Sequence, residues 1–333
     1  MSSPSTISVD IQSIVEDSWI LHPLMPQDES STFFHRLKQE IKWESMSHRG
    51  SNVPRLVHEQ GCILEDGSTP LYRHPVDSHV TLYPFSDIVK KIKSYAEQQI
   101  MSQTNKDSTK SLGPLGFNHV LIQLYRNGSD HIGEHADKTL DMVPHTCIAT
   151  ASLYDKDSIL AGSLKDSNVS NASNGIRRMK FCPKPYLNEI HENASQDKVD
   201  IPLLDNSLLH LGWKTNQTHT HAIPREYGLR SDRISLTFRC IHTYLSVDRL
   251  VFGVGGRSKT LEEARVNANA RQEREHKDKE NDKENDLDIK EQYNRLYKGF
   301  AKQNKVVEFD VNQFYGPGFD IIDNHDQGKG FIQ

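Results

Sequence analysis

Residues 233–239 read Arg-Ile-Ser-Leu-Thr-Phe-Arg, and this strict alternation constrains the fold more than any other stretch of the chain. On an extended chain Ile234, Leu236 and Phe238 fall on one side, and Arg233, Ser235, Thr237 and Arg239 on the other. A helix would scatter the two sets around its circumference; a strand keeps them apart. A strand apolar on one face belongs in an antiparallel sheet with a hydrophobic layer beneath it. Residues 117–126 supply a second strand, closed by the turn residues Asn127, Gly128, Ser129 and Asp130. Shorter strand-like pieces follow at 179–181 and 207–211, while 54–83, broken by Gly67, Pro70 and Pro75, read as loops and short strands. Two amphipathic helices come early. Thr32 caps the first, with Phe33, Phe34, Leu37 and Ile41 as its apolar stripe, and Ser86 caps the second, with Ile88, Val89, Ile92, Tyr95 and Ile100. The pattern predicts an α+β domain centred on an antiparallel sandwich or barrel.

Four segments emerge along the chain. Residues 1–30 are rich in Ser, Asp and Pro and are expected to be loosely ordered. Residues 31–250 carry the main domain, interrupted at about 155–175 by a flexible insertion of Ser, Asn, Asp, Gly and Lys. Residues 251–333 read as a charged linker, helical or disordered, followed by an aromatic tail in which Phe309, Phe314, Tyr315 and Phe319 pack back on the core. Only 35% of the residues are hydrophobic, as expected of a core diluted by solvated segments. No apolar run approaches the roughly 20 residues of a membrane span. The first ten residues lack the basic start and apolar stretch of a secretory signal, so an intracellular protein is expected. The 4 cysteines are scattered without a CxxC pair, which argues against a disulfide framework or a cysteine-zinc site. A net charge of -5 means that any nucleic-acid substrate would need a local basic groove. The glycine turn at 253–260 nearly fits a phosphate-binding loop, but Ser258 replaces the second required glycine.

His135-Ala136-Asp137 is the first candidate metal site, because it follows a strand and turn where alternate residues converge on one face. A second such triplet, His276-Lys277-Asp278, lies in the charged stretch without flanking strands and is set aside. A non-haem Fe(II) site needs two imidazoles and one carboxylate, with the remaining positions open. His219 and His221 both offer the missing imidazole, and their spacing does not choose between them. The polar face of 233–239 either rests in water or brings Arg233 and Arg239 beside the metal, where a guanidinium can grip a dicarboxylate with paired donors. Gln123 and Tyr125, alternate on their own strand, add two polar contacts.

Taken together, residues 117–138 (FNHVLIQLYRNGSDHIGEHADK), 215–224 (TNQTHTHAIP) and Arg233–Arg239 (RISLTFR) resemble the AlkB family of Fe(II)/2-oxoglutarate dioxygenases, nearest to eukaryotic nucleic-acid demethylases and related fungal proteins. The resemblance covers about 30–245, with gaps, and keeps the family's order of blocks. It implies a double-stranded β-helix, or jelly-roll, with N-terminal helices packed outside, making 31–250 the dioxygenase domain. It implies Fe(II), 2-oxoglutarate and O2 as cofactor and cosubstrates. It places His135, Asp137 and His221 on iron, His221 being preferred because His-Ala-Ile-Pro matches the ligand block. Arg233 matches the partner of the distal carboxylate of 2-oxoglutarate, Arg239 the second arginine, and Tyr125 a cosubstrate-binding tyrosine; Gln123 stands where the family usually has asparagine. Lys138 and Thr139 replace acidic residues that orient the base in such enzymes. Residues 70–75 occupy the place of substrate-recognition loops, so Arg73, His74 and Thr139 are the candidate substrate contacts. The implied activity is oxidative demethylation of N-alkylated nucleobases in DNA or RNA, of the DNA-repair type, in the nucleus and/or cytoplasm. Two rivals stand beside it: the same iron chemistry on a protein or small metabolite, and a non-catalytic binding module with a vestigial metal site. Nothing in the sequence names a protein partner.

Overall fold

The alternating stretch Arg233–Arg239 becomes an interior strand of a nine-stranded sheet. The structure is a computed structural model that describes residues 9–77, 80–104, 116–155, 159, 175–185, 197–229, 231–275 and 281–322. In chain order its strands begin β1 (Asp10–Ser13), β2 (Trp19–His22), β3 (Glu44–His48), β4 (Ser51–Gly61), β5 (Thr69–Pro70), β6 (Leu82–Pro84), β7 (His119–Tyr125) and β8 (Ile132–His135). They continue β9 (Ile148–Tyr154), β10 (Arg178–Pro183), β11 (Val199–Pro202), β12 (Ser207–Leu211), β13 (His219–Ile223), β14 (Arg233–Arg239), β15 (Thr243–Leu245) and β16 (Val251–Gly253). The helices are α1 (Gln27–Glu40), α2 (Asp87–Thr104), α3 (Trp213–Thr218), α4 (Leu261–Glu275), α5 (Asn281–Gln303) and α6 (Val311–Tyr315). None of them is long and apolar enough to cross a membrane.

The large sheet runs β1-β2-β12-β9-β14-β7-β4-β3, with β6 alongside β4; the second sheet runs β11-β10-β13-β8. A third, small sheet joins β16, β15 and β5. Ile20, Ile148 and Leu209 of the large sheet meet Met179, Phe181 and Ile223 of the second in one apolar cluster, so the two sheets close on each other as a jelly-roll. The opposite face of the large sheet presents Ile234, Leu236 and Phe238 to Phe34 of α1 and Ile88 and Ile92 of α2. Each such side chain, fully withdrawn from water, contributes roughly 1.5–3 kcal/mol. The two helices lie outside the sandwich, as the α+β reading expected. Every residue of β14 is buried, the polar set included. Its polar face looks into the space between the sheets, not into water.

Two expectations change, and one that was left open is decided. Loose order for residues 1–30 does not hold over 10–30: β2 pairs with β12, setting Leu21 opposite Leu208, and Leu24 and Met25 are fully buried. The short run Trp19-Ile20-Leu21 is stabilised by a strand nearly two hundred residues away, which no local pattern announces. Helix α1 starts at Gln27 behind Pro26, and Thr32, inside it, donates to Asp28 O instead of capping. Residues 261–303 form the helices α4 and α5 apart from 276–280, which are not described, and Leu296 and Phe300 join Phe309, Tyr315 and Phe319 in a cluster around Leu140. The insertion at about 155–175 lies, but for residues 155, 159 and 175, outside the described residues.

Candidate active site

Strands β8 and β13 are antiparallel neighbours, and their register sets His221 directly opposite His135, with ring centroids 4.4 Å apart. Asp137 follows β8 by two residues and brings Oδ2 to 3.7 Å from His221 Nε2. The spacing that left His219 and His221 equivalent is resolved by this register. His219 is the residue where α3 ends, stands opposite Pro183, and bonds through Nδ1 to the Thr218 hydroxyl at 2.8 Å. The triplet His276-Lys277-Asp278 lies outside the described residues.

The protonation states suit a metal. Burial, with His221 beside it, pushes the His135 imidazole down to about 3. Burial also lowers His221. Both rings are therefore neutral at physiological pH, and the Nδ1–H of His135 donates to Gly133 O at 2.9 Å, leaving Nε2 as the unprotonated atom. Burial works to raise the Asp137 carboxyl, but the Arg239 guanidinium leads the charges that hold it well below the ordinary carboxylate range. Its Oδ1 accepts from Arg239 Nη2 and, at 3.0 Å, from the Tyr72 hydroxyl, which leaves Oδ2 on the imidazole side. Two neutral imidazoles and one anionic carboxylate are the donor set that a non-haem Fe(II) site requires.

These groups line a cavity of about 380 Å³ between the sheets. Arg233, Ser235, Thr237 and Arg239 also line it, as do Gln123 and Tyr125 from β7, which pairs with β14 so that Arg233 lies opposite Tyr125. Arg233 is wholly buried; Nη2 and Nε donate to Ser152 Oγ at 2.8 and 3.3 Å, and its guanidinium stands 5.3 Å from the Tyr125 ring centre. Its Nη1 has no partner among the described residues. A buried cationic donor left unmatched costs about 1–3 kcal/mol or more, so a carboxylate arriving here restores what the fold leaves open. With its carbonyl oxygen turned toward Arg55, Gln123 accepts from Arg55 Nε at 2.7 Å and Nη2 at 3.3 Å, and its amide faces the Tyr125 hydroxyl.

The candidate substrate contacts separate. His74 lines the cavity and stacks on Tyr72 with centroids 5.4 Å apart. Arg73 points the other way: it is buried, binds both oxygens of Asp141, and donates to the carbonyls of Gly255, Phe319 and Ile321. A side chain at Gly255 would collide with that ion pair, which explains the glycine turn at 253–260. Thr139 is buried against Gln303, whose Nε2 donates to its hydroxyl at 2.6 Å. Neither Arg73 nor Thr139 lines the cavity. Arg55, Tyr72, Asn216 and Asn304 were not singled out by the sequence. Asn216 lay in a quoted block and Tyr72 beside Arg73, while nothing local marks Arg55 or Asn304.

The family model of the 2OG-Fe(II) oxygenase superfamily matches residues 17–239. The DNA oxidative demethylase ALKBH2 of Arabidopsis thaliana is 24% identical over 245 residues, 72% of this chain and 71% of its own length. The DNA oxidative demethylase ALKBH2 of Homo sapiens is 32% identical over 126 residues, 38% of this chain and 40% of its own. The human alpha-ketoglutarate-dependent dioxygenase alkB homolog 3 is 27% identical over 126 residues, 38% of this chain and 37% of its own. The two human matches thus span less than half of each relative.

Proposed function

Because the chain belongs to the 2OG-Fe(II) oxygenase superfamily, we propose that it oxidatively removes alkyl groups from nucleobases of DNA or RNA, with His135, Asp137 and His221 holding Fe(II) and Arg233 holding the distal carboxylate of 2-oxoglutarate. The observation that carries this reading is the buried, half-satisfied guanidinium of Arg233 in the same cavity as the two imidazoles and the carboxylate. The bound iron, with 2-oxoglutarate and O2, supplies oxidation of a C–H bond coupled to decarboxylation of the cosubstrate to succinate and CO2. An N-methyl group so hydroxylated leaves as formaldehyde.

The chain's own residues bind, orient and enclose. Arg233, backed by Ser152 and stacked on Tyr125, offers a fixed guanidinium to one carboxylate. Arg239 and Tyr72 hold one oxygen of Asp137 and so orient the other. Gln123, Tyr125 and Arg55 form a connected polar wall. A cavity of this size accepts a five-carbon dicarboxylate and one planar base but no duplex, so the base enters single-stranded or flipped, past the Tyr72–His74 stack. The relatives named as DNA oxidative demethylases support a DNA substrate, and a setting in the nucleus and/or cytoplasm is part of the same proposal.

Succinate and formaldehyde are measured with the full chain, Fe(II) and 2-oxoglutarate, on methylated and unmethylated single-stranded DNA and RNA. Formaldehyde should appear in step with succinate on a methylated strand only, and His221→Ala and Asp137→Ala should remove both products. Succinate formed at the same rate with and without every oligonucleotide sinks the nucleobase substrate and leaves a protein or metabolite in its place.

A further inference from the structure

Asp137 does not sit in a sheet ladder. It lies in the irregular segment 136–139 that follows β8, and the pairing of that segment's backbone amides is unusual. Ala136 N donates to Asn304 Oδ1 at 3.0 Å, Asp137 N to Asn216 Oδ1 at 2.9 Å, Lys138 N to the Tyr72 hydroxyl at 3.1 Å, and Thr139 N to Gln303 Oε1 at 3.4 Å. Four successive N–H groups are thus satisfied by four side chains instead of by backbone. The inner two acceptors come from within the stretch matched by the superfamily. The outer two, Asn304 and Gln303, come from the C-terminal segment, beyond residue 239 where that match ends.

The same two side chains do more. Asn304 Oδ1 also accepts from the buried ammonium of Lys138, and Asn304 lines the cavity. Gln303 Nε2 donates to the Thr139 hydroxyl, and the Tyr315 hydroxyl donates to Gln303 Oε1 at 3.1 Å. The segment that presents them is itself docked. Phe300, Tyr315 and Phe319 pack around Leu140, and Arg73, paired with Asp141, holds the carbonyls of Phe319 and Ile321.

We propose that the C-terminal segment, through Gln303 and Asn304, is a positioning part of the metal site that fixes the 136–139 segment and thereby sets the affinity of His135, Asp137 and His221 for a divalent metal. The proposal rests on the reading of those three residues as ligands. Asn304 and Gln303 are positioning residues: they act through that segment and touch no ligand atom. Groups that orient a metal's ligands typically account for 10–100-fold in its affinity.

The probe is Co(II), titrated into the full chain without oxygen and followed by its visible absorption, with thermal unfolding measured on the metal-free protein. Asn304→Ala and Gln303→Ala should each weaken Co(II) binding by about tenfold. Asn304→Asp, which keeps the acceptor oxygen, should restore it. Phe314→Ala, which removes the ring stacked on Phe309 away from residues 136–139, should lower the unfolding temperature and leave Co(II) affinity unchanged. Wild-type affinity in both Asn304→Ala and Gln303→Ala, while Asp137→Ala fails to bind, overturns the positioning role alone. Equal weakening in Phe314→Ala also overturns it, by showing that general loosening suffices. Wild-type binding by His135→Ala and Asp137→Ala overturns the ligand reading beneath it.

Discussion

Arg233 and Asp137 share one cavity but are held in different ways. Arg233 stands on β14, hydrogen-bonded between β7 and β9, so its place follows from backbone ladders on both sides and from strict alternation along the strand. Asp137 stands in an irregular segment whose amides are caught by side chains from β13's preceding helix α3, from the loop at Tyr72, and from the C-terminal segment. A ladder positions a side chain through a repeat of two residues that any short stretch displays. A side-chain cradle positions it through partners far away in sequence, each of which can be lost singly. One wall is therefore robust and legible, the other contingent and nearly silent.

The most damaging way to test the second wall is Arg73→Ala. The ion pair with Asp141 is almost completely withdrawn from water, at 1% and 0% side-chain exposure. Deleting one partner leaves a buried carboxylate unmatched and frees the carbonyls of Phe319 and Ile321, for a loss of about 3–5 kcal/mol. Urea unfolding measures it. A loss under about 1 kcal/mol would mean that the C-terminal segment docks without Arg73.

The first wall is tested by Arg233→Lys. The strand ladders remain, so metal affinity should stay as in the wild type. The lysine offers a point charge where paired donors stood, and the apparent KM for 2-oxoglutarate should rise about tenfold or more, equivalent to about 1.4 kcal/mol. Steady-state succinate formation against 2-oxoglutarate concentration reads it. An unchanged KM would move the carboxylate to another cation of the cavity, Arg55 or Arg239.

The same division decides what the sequence could disclose. Alternation at 233–239 and 119–125 marked the strands and their polar faces because the information is local. It said nothing about whether the polar face met water, since that depends on the second sheet closing over it. His219 and His221 could not be ranked until β8 was laid beside β13. Arg73, between two prolines, read as a substrate contact in a recognition loop; its burial depends on Asp141, 68 residues away. Thr139 was placed by comparison with acidic residues elsewhere, and its real partner, Gln303, lies 164 residues on. Residues 19–22 form a strand between β1 and β12, and β12 lies nearly two hundred residues on in sequence.

The smallest expected effect concerns Lys184, at the end of β10, where the second wall meets the C-terminal segment. Its amide donates to Thr218 O at 2.9 Å and its ammonium to Val306 O at 3.3 Å, with 1% of the residue exposed. Burial, reinforced by the charge of Lys138, pushes this lysine down to about 7 from an ordinary value of 10.5. Between those two values the unfolded chain carries the proton and the folded chain has released it, so the unfolded state binds more protons and stability rises with pH. Below about 7 both states are protonated, and the full cost of the buried charge is present. Lys184→Met keeps the length of the side chain and removes the charge. Its stability relative to the wild type should be greatest at pH 6–7 and should shrink by about 1 kcal/mol by pH 8, as the wild type sheds the proton. Taking the difference between two proteins at each pH cancels the titrations of groups that do not feel the Lys184 charge. A difference that stays flat from pH 6 to 9 would show that the ammonium reaches water in solution, and that the contact between β10 and Val306 is looser than the wall it belongs to.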